Sequence, residues 1–167
     1  AHALKARGVK PDMLAGFSLG ELTALTYSGA VGLEEGFRLV VRRGELMQEA
    51  GELNPSVMVA VMRLKNEEVE ALCRRYEHIY PVNYNCPGQL VVAGDPEEME
   101  RFKADVKTAG GKGVALPVSS AFHTPYMREA AARFAAELEG FTFRKPRITL
   151  YSDYTARPYG DEDPRTL

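Results

Sequence analysis

Ser18 lies between two glycines in the segment LAGFSLGELTAL, residues 14–25. The apolar residues 13–15 predict the end of a buried strand, and residues 19–28 follow a helical pattern. A Gly-x-Ser-x-Gly match between a strand and a helix indicates a nucleophile elbow, a turn so sharp that only glycine fits on either side. The backbone N–H of Leu19 would then face a developing oxyanion. The alternative is an ordinary strand–helix junction whose serine caps the helix.

A nucleophilic serine needs a base, and the chain has three histidines. His2 lies at the predicted frayed start of the chain and His78 follows a polar helix end, so both are predicted to be solvated. His123 follows a predicted strand and precedes a helix that Thr124 would cap, and loops at strand ends are where α/β proteins keep their sites. His123 is therefore the candidate base, and the alternative is a structural histidine held by the backbone. No acid that would orient the imidazole is obvious from the sequence.

Arg43 is the third candidate, because it shares the apolar stripe of a helix predicted within residues 32–51. Arg42 lies off this stripe. A guanidinium on a buried face needs an anion. That anion is either a glutamate of the same protein or the carboxylate of a substrate, clamped by two hydrogen bonds. The stripe consists of Leu33, Phe37, Val40 and Met47.

Two regions of the chain differ in their pattern. Residues 55–118 predict a strand, helix, strand, strand, helix and strand in that order, which is the ferredoxin-like βαββαβ arrangement. Asn66 and Asp95 would cap its two helices. Residues 1–54 and 119–167 predict a discontinuous α/β large subdomain with a parallel sheet, into which the smaller lobe is inserted.

Composition excludes several classes of protein. A net charge of −2 over 167 residues gives no basic field that would recruit nucleic acid or an anionic membrane. No apolar run approaches the roughly 18 residues that span a bilayer. Cys73 and Cys86 lack CxxC spacing, so we predict no metal site and a reduced, cytoplasmic protein. Both ends of the chain look cut from a longer one, and we expect a domain truncated at both ends.

Four segments together resemble the malonyl-CoA:acyl carrier protein transacylase family. GFSLGE is similar to the family's G-H-S-L-G-E nucleophile motif, and RGELMQ, which begins at Arg43, to its R-G-x-x-M-Q motif. NYNCPGQLVVAG resembles the family's N-x-N-x-P-x-Q strand pair. SAFHTPYM resembles the segment that carries the family's histidine, in the A-F-H form typical of malonyl-selective members. The match covers nearly the whole chain, in order.

The resemblance implies a hydrolase-like large subdomain with a ferredoxin-like small one. It implies Ser18 as the nucleophile, His123 as the general base and then acid, and Arg43 as the clamp on the malonyl carboxylate. Met47 and Phe122 would line the acyl pocket, and the Leu19 N–H would stabilise the tetrahedral intermediates. The reaction implied is ping-pong transfer of malonyl from malonyl-CoA to the phosphopantetheine thiol of acyl carrier protein, without a cofactor.

Three departures from the family pattern matter. Phe17 replaces the histidine that precedes the nucleophile, which should alter packing without removing the base. The family's G-Q-G segment and its later Q-L segment are absent, so we expect an incomplete site and poor activity from these residues alone. The alternatives are an acyltransferase domain of a polyketide synthase, a serine hydrolase or thioesterase of related fold, and a non-catalytic docking domain.

Overall fold

A computed structural model of the chain describes residues 2–118 and 120–160. The chain divides into two compact units. The first unit takes residues 1–44 and 133–167, and the second takes residues 45–132. Two helices, α3 and α6, cross the division. The elements of the first unit are α1 (His2–Ala6), β1 (Met13–Ala15), α2 (Leu19–Ser28), the start of α3 (Leu33–Leu53), the end of α6 (Arg128–Leu138) and β6 (Thr149–Tyr151).

The sheet of the first unit is a parallel pair, β1 beside β6. Leu14 pairs with Leu150, and Leu150 is fully buried. The strands therefore carry an apolar core that α2 and α3 join through Leu25 and Leu39. A parallel sheet with helices packed against it is the α/β class that the sequence predicts. The predicted strand at residues 13–15 is present, but the expectation that it is buried is wrong: Met13 is 62% exposed and Ala15 is exposed, and only Leu14 turns toward the core.

Helix α2 ends where the sequence indicates. Gly29 adopts the left-handed conformation with φ 80°, and its N–H donates to the carbonyl oxygens of Leu25 and Thr26. Glycine reaches this conformation without a steric penalty, which is why it commonly ends helices. The helical pattern predicted over residues 19–28 is confirmed, and Gly29 lies just past its end.

Helix α3 buries a different face from the one predicted. Leu33 and Phe37 are 78% and 69% exposed, so the predicted stripe is wrong at its first two positions. Apolar residues occur on more than one side of this helix, and spacing does not tell which side meets the core. Arg43 lies on the observed stripe as well. The prediction that it shares the buried face of the helix therefore holds, although that face is not the predicted one. The buried positions of that stripe are Gly36, Leu39, Leu46 and Ala50.

The exposed apolar positions of α3 border a cavity in the first unit. Its volume is about 920 Å³, and Leu33, Phe37 and Val40 line it together with residues 8–11. Thr26 and Arg147 also contribute to its wall. Ser18 and Arg43 do not line this cavity.

The second unit contains a four-stranded antiparallel sheet in the order β3-β4-β2-β5. All six elements predicted between residues 55 and 118 are present, in the predicted order. Phe102, Leu90 and Val69 are fully buried in the core between the sheet and its helices. The elements are β2 (Val57–Met62), α4 (Asn66–Cys73), β3 (Ile79–Cys86), β4 (Gln89–Gly94), α5 (Pro96–Thr108) and β5 (Lys112–Ala115).

The two helices of this sheet begin differently. Asp95 caps α5 as predicted, because its Oδ1 accepts the N–H groups of Glu97 and Glu98, each at 2.9 Å. The predicted cap Asn66 is instead the first residue of α4, which is a correction. The residue at the cap position is Lys65, whose N–H donates to Glu68 Oε2 at 2.8 Å. A glutamate that reaches back in this way satisfies an N–H that the helix leaves open.

Two kinds of feature are missing from the described part of the chain. None of its helices is both long enough and apolar enough to cross a membrane. Its histidine, cysteine and carboxylate side chains form no group of three or more that could hold a metal ion.

Candidate active site

Ser18 occupies the junction between β1 and α2 with φ 52° and ψ −110°. This backbone region is uncommon for a residue that has a side chain. A Cβ at Gly16 would overlap the backbone of Gly20 and Glu21, so the turn requires glycine at that position. A Cβ at Gly20 would meet nothing within 4 Å. The expectation that only glycine fits on either side is therefore right for Gly16 and wrong for Gly20, which lies in open space at the start of α2.

The Ser18 hydroxyl does not cap the helix that follows it. Two N–H groups of the first turn are bonded to backbone instead: Gly20 N–H to Phe17 O at 2.8 Å, and Glu21 N–H to Ser18 O at 3.1 Å. Among the described residues, no acceptor takes the N–H of Leu19. The alternative of a capping serine is thus not realised, and an N–H next to Ser18 is available to an oxyanion.

Arg43 brings a positive charge to Ser18. Its Nη2 donates to Ser18 Oγ at 2.9 Å. The side chain is half-buried, and burial lowers the pKa of its guanidinium. Within the described part of the chain, no carboxylate forms an ion pair with Arg43. The alternative of an internal glutamate partner is therefore not realised there, and the guanidinium can receive an anion close to Ser18.

Arg42, the neighbouring arginine, is paired. Its Nε donates to Glu137 at 2.6 Å to Oε1 and 2.8 Å to Oε2. This ion pair ties α3 to the end of α6 inside the first unit. The two adjacent arginines therefore have different roles, as the position of Arg42 off the stripe predicts.

Asp153 is a site residue that the sequence analysis missed. Its Oδ2 accepts the backbone N–H of Ser18 at 2.8 Å. Asp153 comes just after β6, and Ser18 comes just after β1, the parallel neighbour of β6. Because parallel strands end at the same edge of a sheet, a carboxylate after one strand and a serine after the next was the available signal.

His123 lies in the second unit, also with a left-handed backbone, at φ 62°. Histidine is among the residues that tolerate this conformation best. The next residue, Thr124, caps a 3₁₀ turn over Pro125–Met127, because its Oγ1 accepts the N–H of Tyr126 at 3.3 Å. The predicted cap is confirmed, although the helix begins with this tighter turn.

Phe122 packs beside His123 against a cluster that includes Met58 and Val91. The segment is held by Ser56, whose Oγ accepts the N–H of Ala121 at 2.6 Å. Met47 is half-buried on α3 in the same unit. The roles of these side chains in an acyl pocket stay predictions.

The other two histidines receive different outcomes. The His78 side chain is 43% exposed, so it is partly solvated, and the residue also contacts Glu98. Its backbone N–H donates to Glu98 Oε2 at 2.9 Å, and its Nδ1 lies 3.4 Å from Glu98 Oε1. Glu98 comes from α5, so this contact anchors the start of β3. The side chain of His2 lies outside the described residues.

A serine in a sharp strand–helix turn, with an open N–H beside it, is typical of enzymes that form acyl-serine intermediates. Residues 1–167 match the acyl transferase domain family. The chain belongs to that family.

Relatives with known names agree with this membership. Malonyl CoA-acyl carrier protein transacylase of Escherichia coli strain K12 is 38% identical over 150 residues, which are 87% of this chain and 48% of that protein. The chain thus spans about half the length of the curated relatives it matches. The crystal structure of malonyl-CoA:acyl carrier protein transacylase (FabD) from Xanthomonas oryzae has a TM-score of 0.90 at 34% identity, covering 96% of this chain and 53% of that one.

A further solved structure contains a partner. It is a type II PKS acyl-carrier protein in complex with its malonyl-transacylase, with a TM-score of 0.87 and 34% identity. The matched region covers 95% of this chain and 53% of the chain in that structure. The similarity to these transacylases is therefore in sequence and in fold.

Proposed function

We propose that the protein transfers a malonyl group from malonyl-CoA to the phosphopantetheine thiol of acyl carrier protein through a malonyl ester on Ser18. The observation that carries the proposal is the contact between Ser18 Oγ and the half-buried Arg43, at 2.9 Å. A malonyl group on Ser18 would carry a free carboxylate that is separated from the ester oxygen by two carbons. A guanidinium without a carboxylate partner, placed this close to Ser18, suits that negative charge.

The first half-reaction begins when Ser18 Oγ attacks the thioester carbonyl of malonyl-CoA. His123 takes the hydroxyl proton, and the Leu19 N–H donates to the oxyanion of the tetrahedral intermediate. Collapse of the intermediate breaks the carbon–sulfur bond, and His123 returns the proton to the departing CoA thiolate. In the second half-reaction, the carrier-protein thiol attacks the malonyl-serine ester and Ser18 recovers its proton. No cofactor is required, because neither half-reaction includes an oxidation or a reduction.

We also propose a subdomain arrangement, a partner and a cellular location for the protein. The βαββαβ order supports a ferredoxin-like small subdomain, residues 55–118, inserted into a hydrolase-like large one, residues 1–54 and 119–167. The named relatives support acyl carrier protein as the partner, in fatty acid synthesis or in polyketide synthesis. A cytoplasmic location stays a prediction from the cysteine usage.

Intact-protein mass spectrometry of the complete protein tests the covalent step. After brief exposure to malonyl-CoA, the wild type should gain one malonyl group and Ser18→Ala none. Free CoA should appear in the same amount as the adduct. A wild type without adduct, with CoA release at background, would reduce the chain to a degenerate acyltransferase domain.

Substitution of the arginine tests the substrate. Arg43→Ala should slow malonyl transfer about 10- to 100-fold, because a charged hydrogen bond is worth about 1.5–3 kcal/mol. Acetyl transfer and simple ester hydrolysis should be unchanged or faster. Arg42→Ala is the matched control, since that guanidinium is paired with Glu137. Equal loss on every acyl group in Arg43→Ala would instead favour a serine hydrolase or thioesterase.

A further inference from the structure

Ser18 keeps its unusual backbone conformation only if neighbouring groups hold it there. The φ of 52° is unfavourable for any residue that has a Cβ. Gly16 permits the turn sterically, because a Cβ there would overlap the backbone of Gly20 and Glu21. The carboxylate of Asp153 contacts the Ser18 backbone from outside the turn and accepts the Ser18 N–H at 2.8 Å.

Asp153 is itself oriented by the helix that Ser18 begins. The Asp153 N–H donates to Glu21 Oε1 at 2.8 Å, and the Tyr159 hydroxyl donates to the same oxygen at 2.6 Å. Burial and the bond to Glu21 raise the pKa of Tyr159, so its hydroxyl stays a donor. Glu21 belongs to the GFSLGE motif, and the proposed reaction gives it no chemical step. The contacts form a closed loop from Ser18 to Asp153, to Glu21, and back along α2.

The turn that carries Asp153 is held independently. The buried Ser152 accepts the N–H groups of Tyr154 and Thr155 on its Oγ, each at 3.2 Å. Its own N–H donates to Arg157 O at 2.9 Å. Tyr159 N–H then returns to Leu150 O in β6 at 2.8 Å. A carboxylate on such a braced turn is a fixed acceptor, and a fixed acceptor can set the direction of the N–H that it receives.

We propose that Asp153 is a positioning residue for the nucleophile, with Glu21 and Tyr159 as its support. The carboxylate holds the Ser18 amide so that Oγ stays directed toward the acyl group, and it does not touch the reacting atoms. The proposal rests on the proposed function, in which Ser18 is acylated. It assigns a role to the glutamate of the nucleophile motif and to a residue 135 positions away.

The rate of malonyl loading in the complete protein tests this role. Asp153→Ala should slow single-turnover loading about 10- to 100-fold at an unchanged half-saturating concentration of malonyl-CoA, because Arg43 still binds the carboxylate. Asp153→Asn keeps an acceptor oxygen and should load within about threefold of the wild type. Tyr154→Ala is the matched control, since this side chain of the same turn is 86% exposed.

A spectroscopic measurement separates this proposal from the proposed function. In protein labelled with ¹⁵N-serine, the Ser18 amide proton is assigned by its loss in Ser18→Ala. It should resonate downfield in the wild type, stay near that position in Asp153→Asn and move upfield in Asp153→Ala. Loading by Asp153→Ala at the wild-type rate, or equal slowing in Asp153→Ala and Asp153→Asn, would overturn the proposal. If the wild type does not load malonyl at all, the proposed function fails, and an Ser18 amide shift insensitive to Asp153→Ala would overturn the positioning as well.

Discussion

At the scale of single residues, the two glycines around Ser18, Gly16 and Gly20, have different structural roles. Gly16 faces the backbone of Gly20 and Glu21 so closely that a Cβ would overlap it, whereas Gly20 faces open space. The turn therefore requires glycine at position 16 for steric reasons but would accept a side chain at position 20.

Alanine substitutions at these two glycines should differ in their effect on stability. Gly16→Ala should lower the free energy of unfolding by about 1–3 kcal/mol or more, because the added methyl forces backbone to move. Gly20→Ala should leave it unchanged or raise it by up to about 1 kcal/mol, because alanine is the better helix former. Chemical denaturation of the complete protein measures both. Equal destabilisation by the two substitutions would contradict this account of the turn.

The same scale explains why the sequence identified Ser18 and Arg43 but missed Asp153. Ser18 has a local signature, a strand end, a glycine and a helix start within a few residues. Arg43 was selected by its spacing along one helix. Asp153 contacts Ser18 only because β6 lies beside β1, and no local pattern contains that neighbour.

At the scale of elements, helix α5 shows how a local signal determines structure. Asp95, Pro96 and a first turn rich in glutamate specify the start of the helix, and Gly110, with φ 86°, follows its end. These interactions lie within a few residues of each other, which is why the predicted start was correct. Helix α3 is the opposite case, because its buried face depends on partners from other elements.

Removal of the α5 cap should have a measurable cost. Asp95→Ala should lower the free energy of unfolding by about 1 kcal/mol, because two N–H groups lose their acceptor. Asp95→Asn is the matched control and should cost only a few tenths of that value, since asparagine caps comparably well. Urea denaturation midpoints of the three proteins provide the comparison. An Asp95→Asn variant as unstable as Asp95→Ala would point to the charge rather than to the cap.

At the scale of the whole molecule, the candidate site residues are divided between two units that have separate apolar cores. Ser18, Arg43 and Asp153 belong to the first unit, and Met47, Phe122 and His123 to the second. Non-glycine residues with positive φ occur in both units, at Ser18 and Ala156 in the first and at Arg63 and His123 in the second. A positive φ therefore does not by itself mark a functional residue.

The core of the second unit should protect one of the two cysteines. Cys73 is buried, and burial raises the pKa of its thiol from 9.0 to about 12, whereas Cys86 is exposed. At pH 8, iodoacetamide should modify Cys86 in the native protein and reach Cys73 only after unfolding, as peptide mapping would report. The buried thiol also contributes stability that is complete below about pH 9 and is lost as the pH rises toward 12, since the unfolded state ionises first. Native labelling of Cys73 as fast as Cys86 would contradict this core.

The sequence by itself determined the order of helices and strands, the turn at Ser18 and the importance of Arg43, because these depend on propensities, caps and spacings within a few residues. Tertiary structure alone decided which face of α3 is buried and where the Arg43 guanidinium ends. It also decided that Asp153 would hold the Ser18 amide and that Arg42 would pair with Glu137. Each of these contacts joins residues from different elements, and their approach depends on the packing of the whole unit rather than on any local preference.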